Sequence, residues 1–184
     1  MASQNHNLNH HFFLLVSQLV IISLLFQHYS FAATQLVSQV CQATQDPNFC
    51  LQILGADKRS GTADLKGLGI ISLESTSSWA KATQDQIRKL LSQHPGLDFK
   101  SVLDHCTVNY DGSAYALQQG IQFLNANDYA NANDMANVGW QNGNDCERVN
   151  SQSVKNLSLR GSNQKMMKLS DMSRVITGKL INGS

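Results

Sequence analysis

From Phe99 onward the apolar residues fall at Phe99, Leu103, Cys106, Tyr110, Ala114, Leu117, Ile121 and Leu124, always three or four apart. A period of 3.6 residues returns such side chains to one face, so this is the seam of an amphipathic helix about thirty residues long. Gly112 and Gly120 lie inside it; each costs about 1 kcal/mol relative to alanine, so packing must hold the helix. The same spacing recurs at Met166, Leu169, Ser173, Ile176 and Leu180, with Met167, Met172 and Val175 widening the stripe. A further helix is expected from Thr62, as its cap, to Gln93, stopped by His94-Pro95-Gly96. Its Ser/Thr-rich middle around Trp79 is its weakest part. Another runs from Asp128 to about Glu147 on a narrow stripe of Tyr129, Ala132, Ala136, Gly139 and Cys146. No segment alternates as a strand does. The predicted fold class is all-α. Four long helices with connections of about 5, 3 and 15 residues make an up-down-up-down four-helix bundle the simplest topology. Residues 34–58 precede it as a helical hairpin folded back at Pro47.

The first 33 residues contain no Lys, Arg, Asp or Glu, and residues 14–26 read LLVSQLVIISLLF. As a helix this run reaches about 20 Å, short of the roughly 30 Å hydrocarbon core of a bilayer. Ser30 and Ala32 place small residues at the −3 and −1 positions of a cut after Ala32, as a secretory signal requires. The segment before the apolar run has His6, His10 and His11 but neither Lys nor Arg, which is atypical. The expected organisation is a signal peptide, 1–32, and one mature domain, 33–184, with no membrane segment left in it. With 14 basic and 13 acidic residues the net charge is +1, which provides no long-range attraction for nucleic acid.

All four cysteines, Cys41, Cys50, Cys106 and Cys146, lie in the expected mature part, and an even count in a secreted chain implies disulfides. Four cysteines allow three pairings. A local bridge between Cys41 and Cys50 across the turn signal Asp46-Pro47-Asn48 is the cheapest, leaving Cys106 with Cys146. Antiparallel packing of their helices brings those two to one level. Enzyme chemistry is hard to assemble from what remains. The mature part has only His94 and His105, without metal-ligand spacing, and G-x-S-x-G is absent. Gly67-Leu68-Gly69 lacks the third glycine and the preceding strand of a nucleotide fingerprint. No catalytic residue, metal or cofactor is expected. Asn156-Leu157-Ser158 is a glycosylation sequon before the last helix. Asn125 to Asn144 holds seven asparagines in twenty residues. These belong either to a solvated, marginal helix or to a polar recognition face, because asparagine both donates and accepts hydrogen bonds.

The matching strings are Leu36-Val37-Ser38 through Cys41, Asp46-Pro47-Asn48-Phe49-Cys50-Leu51 and Ala63-Asp64-Leu65-Lys66-Gly67-Leu68-Gly69. Further along come Phe123-Leu124 with Asn127-Asp128-Tyr129, Asp145-Cys146-Glu147 and Val175-Ile176. In these the chain resembles the plant pectin methylesterase and invertase inhibitor family. The resemblance implies a four-helix bundle with an N-terminal helical hairpin, and disulfides joining the first cysteine to the second and the third to the fourth. It also implies a protein that inhibits an enzyme and is not one itself. Invertase inhibitors carry Pro-Lys-Phe in the turn after the second bundle helix; here that turn reads Asn127-Asp128-Tyr129-Ala130-Asn131. The expected function is therefore occlusion of pectin methylesterase by a monomer, one-to-one, in the apoplast or cell wall. The alternatives are an inhibitor of cell-wall or vacuolar acid invertase, or a diverged bundle without inhibitory activity. The expected interface is Asp128, Tyr129, Asn131, Asn133 and Asp134, with Tyr129 as anchor because hot spots favour aromatic residues. Two departures from the family pattern stand out, Asp145 in place of threonine and the polar string Ser170-Asp171-Met172-Ser173. A carrier of small molecules is a rival reading, hinted at only by Met166, Met167 and Met172.

Overall fold

Asp46 and Pro47 begin the second helix as capping chemistry predicts. The Asp46 carboxylate accepts from the Phe49 N–H at 3.1 Å, and Pro47 takes the first helical position, where its missing N–H costs nothing. The computed structural model describes residues 16–18, 35–93, 97–153 and 158–183. The expected signal peptide lies outside these apart from 16–18, as do the His94–Gly96 turn and the Asn156 sequon. Among the described residues the regular elements are α1 (35–41), α2 (Pro47–Ala56), a 3-10 turn (Lys58–Gly61), α3 (Leu65–Gln93), α4 (Leu97–Asn125), α5 (Tyr129–Ser153) and α6 (Arg160–Gly183).

Two expectations about boundaries need correction. The cap of α3 is Asp64, not Thr62: its carboxylate accepts the Gly67 N–H at 2.7 Å. Thr62 instead closes the 3-10 turn, its N–H bonding Arg59 O at 3.2 Å. Helix α5 runs on to Ser153 and α6 already begins at Arg160, so the connection of about 15 residues expected between them shrinks to six at most. Buried Asn150 and partly buried Val149 extend α5, and fully buried Leu159 stands directly before α6. The Ser/Thr-rich middle of α3 is helical. Thr76 and Thr83 return their hydroxyls to the carbonyls of Ser72 and Trp79 at 2.7 and 3.0 Å, which satisfies them inside the helix.

The four long helices form a closed square, α3 on α4, α4 on α5, α5 on α6 and α6 back on α3. Leu73, Ile87, Leu103, Leu117, Leu124 and Met166 are fully buried along its axis. Met166 and Met172 are core side chains. Helices α5 and α6 approach closely: a Cβ on Gly139 would sit 2.7 Å from Ser170 Oγ, so a larger residue there would have to displace that hydroxyl. Cys106 and Cys146 are joined, with 4.8 Å between their Cα atoms. Tyr110, also buried, donates to Asn163 Oδ1 at 2.9 Å, and Asn163 Nδ2 donates to Glu147 at 2.8 Å. Burial pushes the Tyr110 phenol up, well above its ordinary range.

The hairpin of α1 and α2, closed by Cys41–Cys50, docks on the α3–α6 edge. Val37, Val40 and Leu54 meet Leu68, Ile71, Leu169, Met172 and Ile176. The polar string in α6 now has a structural account. Asp171 accepts the Gln45 N–H at 2.9 Å and so ties the hairpin down, and the Ser173 hydroxyl meets Thr76 at 3.1 Å between α3 and α6. Lys168 adds an ion pair to Asp46 at 2.8 Å.

Candidate functional site

The α4–α5 corner is built from backbone hydrogen bonds before any side chain is counted. Asn127 has φ 61°, the left-handed conformation that ends many helices and that asparagine tolerates. Its N–H reaches Leu124 O at 3.0 Å and the Asp128 N–H reaches Phe123 O at 2.8 Å, the paired bonds of a Schellman motif. Asp128 then caps α5: Oδ1 accepts the Asn131 N–H at 3.2 Å and Oδ2 the Asn131 amide at 2.7 Å. Lys66, on the first turn of α3, donates to Asn125 O at 3.2 Å and to Asn127 Oδ1 at 2.8 Å. A cation there also complements the negative end of α4. The Tyr129 hydroxyl donates to the same Asn127 oxygen at 3.2 Å.

The structure brings Asp128, Tyr129 and Asn131 together at this corner, and Lys66 and Asn127, which the interface expectation omitted, pin it. Asn131 and Asp134 are exposed, while Asp128 and Tyr129 are half-buried, Tyr129 packing against the core. Asn133 points elsewhere. Its amide is committed to Arg174 O at 2.7 Å and Thr177 Oγ1 at 2.8 Å, across the interface with α6. Much of the asparagine-rich stretch therefore works as cap, turn and interhelix bond.

A second feature adjoins the corner. Val108 and Tyr115 are 71% and 70% exposed, the largest exposures among the described large apolar side chains. Seven residues apart on α4, they share a face at a separation of about 10 Å. That face continues through exposed Gln118 and Gln122 to Ala126 beside the corner, and His105 extends it the other way. The signal for it in the sequence is a pair of apolar residues two turns apart and off the buried seam. Asp145 is also at the surface, 3.5 Å from Arg148.

Among the described residues no three His, Cys, Asp or Glu side chains gather as a metal-holding group, and no helix is long and apolar enough to cross a membrane. What the surface offers is a rigid corner joined to a helix face with one prominent aromatic ring. Such a surface suits the docking of a partner.

Comparison with known proteins agrees with this organisation. The family model described as plant invertase/pectin methylesterase inhibitor matches residues 35–176. A pectinesterase inhibitor from Actinidia deliciosa is 35% identical over 116 residues, 63% of this chain and 63% of that protein, so the chain spans under two thirds of that relative's length. Cell wall / vacuolar inhibitor of fructosidase 2 from Arabidopsis thaliana is 33% identical over 112 residues, 59% of this chain and 62% of that protein. Mutant form A of a pectin methylesterase inhibitor from Arabidopsis superimposes with a TM-score of 0.71 at 19% identity, covering 77% of this chain and 95% of that one.

Proposed function

The chain belongs to the plant invertase/pectin methylesterase inhibitor family, and on that premise we propose that it is a secreted protein that binds a plant pectin methylesterase one-to-one and occludes its pectin cleft without turnover. The observation that carries this reading is the α4–α5 corner. The turn is held by Lys66, Asn127 and Asp128 and reads Asn127-Asp128-Tyr129, with none of the Pro-Lys-Phe expected of an invertase inhibitor. A corner fixed by its own hydrogen bonds loses little freedom on docking, so a modest polar interface can still bind tightly. Tyr115 and Val108 supply the apolar anchor, Asn131 and Asp134 the polar rim. The place of action is the cell wall or apoplast.

A second reading, inhibition of acid invertase in the cell wall or vacuole, is favoured by one fact: the fructosidase inhibitor is nearly as similar in sequence as the pectinesterase inhibitor. Titrating the oxidised protein against both enzymes in parallel at mildly acidic pH separates the two. Saturating one-to-one loss of esterase activity is expected, with invertase unaffected; the reverse result selects the second reading, and loss of neither activity overturns both. Tyr115→Ala is expected to weaken esterase inhibition at least about tenfold, as removal of a hot-spot aromatic does. Tyr129→Ala tests the corner, with circular dichroism as control because that ring also touches the core.

A further inference from the structure

On the α3–α6 edge, opposite the α4–α5 edge, the hairpin leaves a groove of about 640 Å³ between itself and the bundle. Its apolar lining includes Ile53 from α2, Leu169 from α6 and Trp79 from α3. Trp79 is fixed in place, because its Nε1–H donates to Ser162 O at 3.0 Å. Lys165, whose Nζ lies 3.8 Å from the centre of the indole, and Lys58 line the same groove. Neither ammonium has a carboxylate partner among the described residues. The one acid in the lining, Asp57, is neutralised by Arg59 at 2.6 Å. The Arg59 hydrogen bond holds that carboxyl below its ordinary range, so it stays an anion bound to its own cation.

We propose that this groove binds a small amphipathic organic anion, an aryl or alkyl carboxylate or sulfonate. The apolar body lies on Ile53, Leu169 and Trp79, and the charged end meets Lys58 and Lys165. The groove falls within the roughly 300–1,000 Å³ of typical small-ligand sites and combines an apolar lining with a few convergent polar groups, as such sites do. The sign of the ligand follows from the two uncompensated ammonium groups. A cation would be repelled, and a neutral apolar guest would strip water from both lysines with no return. Beyond Lys58 lies a second hollow of about 250 Å³ that shares Asp57 and Lys58 and is also lined by Ser60. The Ser60 hydroxyl is buried without a protein partner, which leaves a donor for a guest that reaches past Lys58. Because the groove is walled by the hairpin on one side and by α3 and α6 on the other, an occupant bridges the two and holds the hairpin down.

The probe is anilinonaphthalene sulfonate, titrated into the oxidised protein from a secreting host and followed by energy transfer from tryptophan. Saturable binding to one site is expected, with transfer falling in Trp79→Phe, while Trp140 remains as the internal control. The double variant Lys58→Gln/Lys165→Gln, in which the first site is exposed and the second half-buried, is expected to bind at least about tenfold more weakly, a loss in the range of charge-assisted contacts. Neutral N-phenylnaphthylamine is expected to bind at least about tenfold more weakly than the sulfonate for the same reason. Bound dye is also expected to slow proteolysis within residues 35–61. Undiminished dye binding by the double variant, or equal binding of the neutral analogue, overturns the proposal. Esterase inhibition by the double variant is read separately and is expected to be unchanged, so failure of this site and failure of the inhibitor reading are distinguishable.

Discussion

Leu54 in the hairpin and Leu117 in the bundle are both fully buried, yet they are bound into the molecule in different ways. Around Leu117 the core continues through all four long helices, from Leu73 and Ile87 in α3 to Met166 in α6. No part of it can open without exposing the rest. Around Leu54 the apolar contacts reach only a short patch of α1 and α2 on one side and a strip of α3 and α6 on the other. What remains is directional: Lys168 to Asp46, Gln45 N–H to Asp171. The difference teaches that burial alone does not fix how much stability a residue carries. A fully buried side chain in a small docked unit is worth no more than the docking of that unit, because the unit opens locally first.

The largest test of this contrast uses the two disulfides. Cys106→Ala/Cys146→Ala is expected to cost about 4 kcal/mol of global stability, and Cys41→Ala/Cys50→Ala about 3 kcal/mol, the latter confined to the hairpin. Denaturant unfolding reads the first, and proteolysis within residues 35–61 reads the second. If the two pairs lowered the global midpoint equally, the hairpin would be an integral part of the bundle.

The next test uses the same truncation twice. Leu117→Ala is expected to cost about 3 kcal/mol by leaving a cavity in a core that cannot collapse. Leu54→Ala is expected to raise amide exchange throughout residues 35–61 with little change in the bundle's unfolding midpoint. The smallest effect concerns acid. The Lys168 hydrogen bond, and after it the Phe49 N–H, hold the Asp46 carboxyl below its ordinary value of 3.8. A carboxyl so lowered adds to docking above the ordinary value, and the contribution is lost as pH falls through the lower, folded value. Proteolysis of the hairpin is therefore expected to accelerate from neutral pH to about pH 3 in the native protein, and less steeply in Lys168→Met, where the largest cause of the shift is gone.

Much of the architecture was legible because it rests on local periodicity. The seam from Phe99 to Leu124 needs only a helix to make sense, and Cys106 and Cys146 meet because a three-residue corner forces α4 and α5 antiparallel. What escaped the sequence depends on distant partners. Thr62 and Asp64 are equally fit to cap a helix; the 3-10 turn before them occupies one and leaves the other. The asparagines of α5 look alike in sequence, but Asn133 is drawn inward by Arg174 and Thr177, 41 and 44 positions away. Lys66 reaches the corner from 61 positions away. Tyr115 lies off the buried seam, so the helical periodicity that marks the core carries no signal for it.

The loop closed by Cys41–Cys50 ends long before the loop closed by Cys106–Cys146 begins. The two bridges are therefore consecutive along the chain, neither enclosing nor interlacing the other. A chain that emerges N-terminus first holds both cysteines of the first loop before the third is made, and the second bridge needs only α4 and α5. Helix α6 carries no cysteine, so its arrival adds no further covalent choice. The last helix closes the square and seats the hairpin through non-covalent contacts alone, so an error in its placement can be undone without breaking a bond.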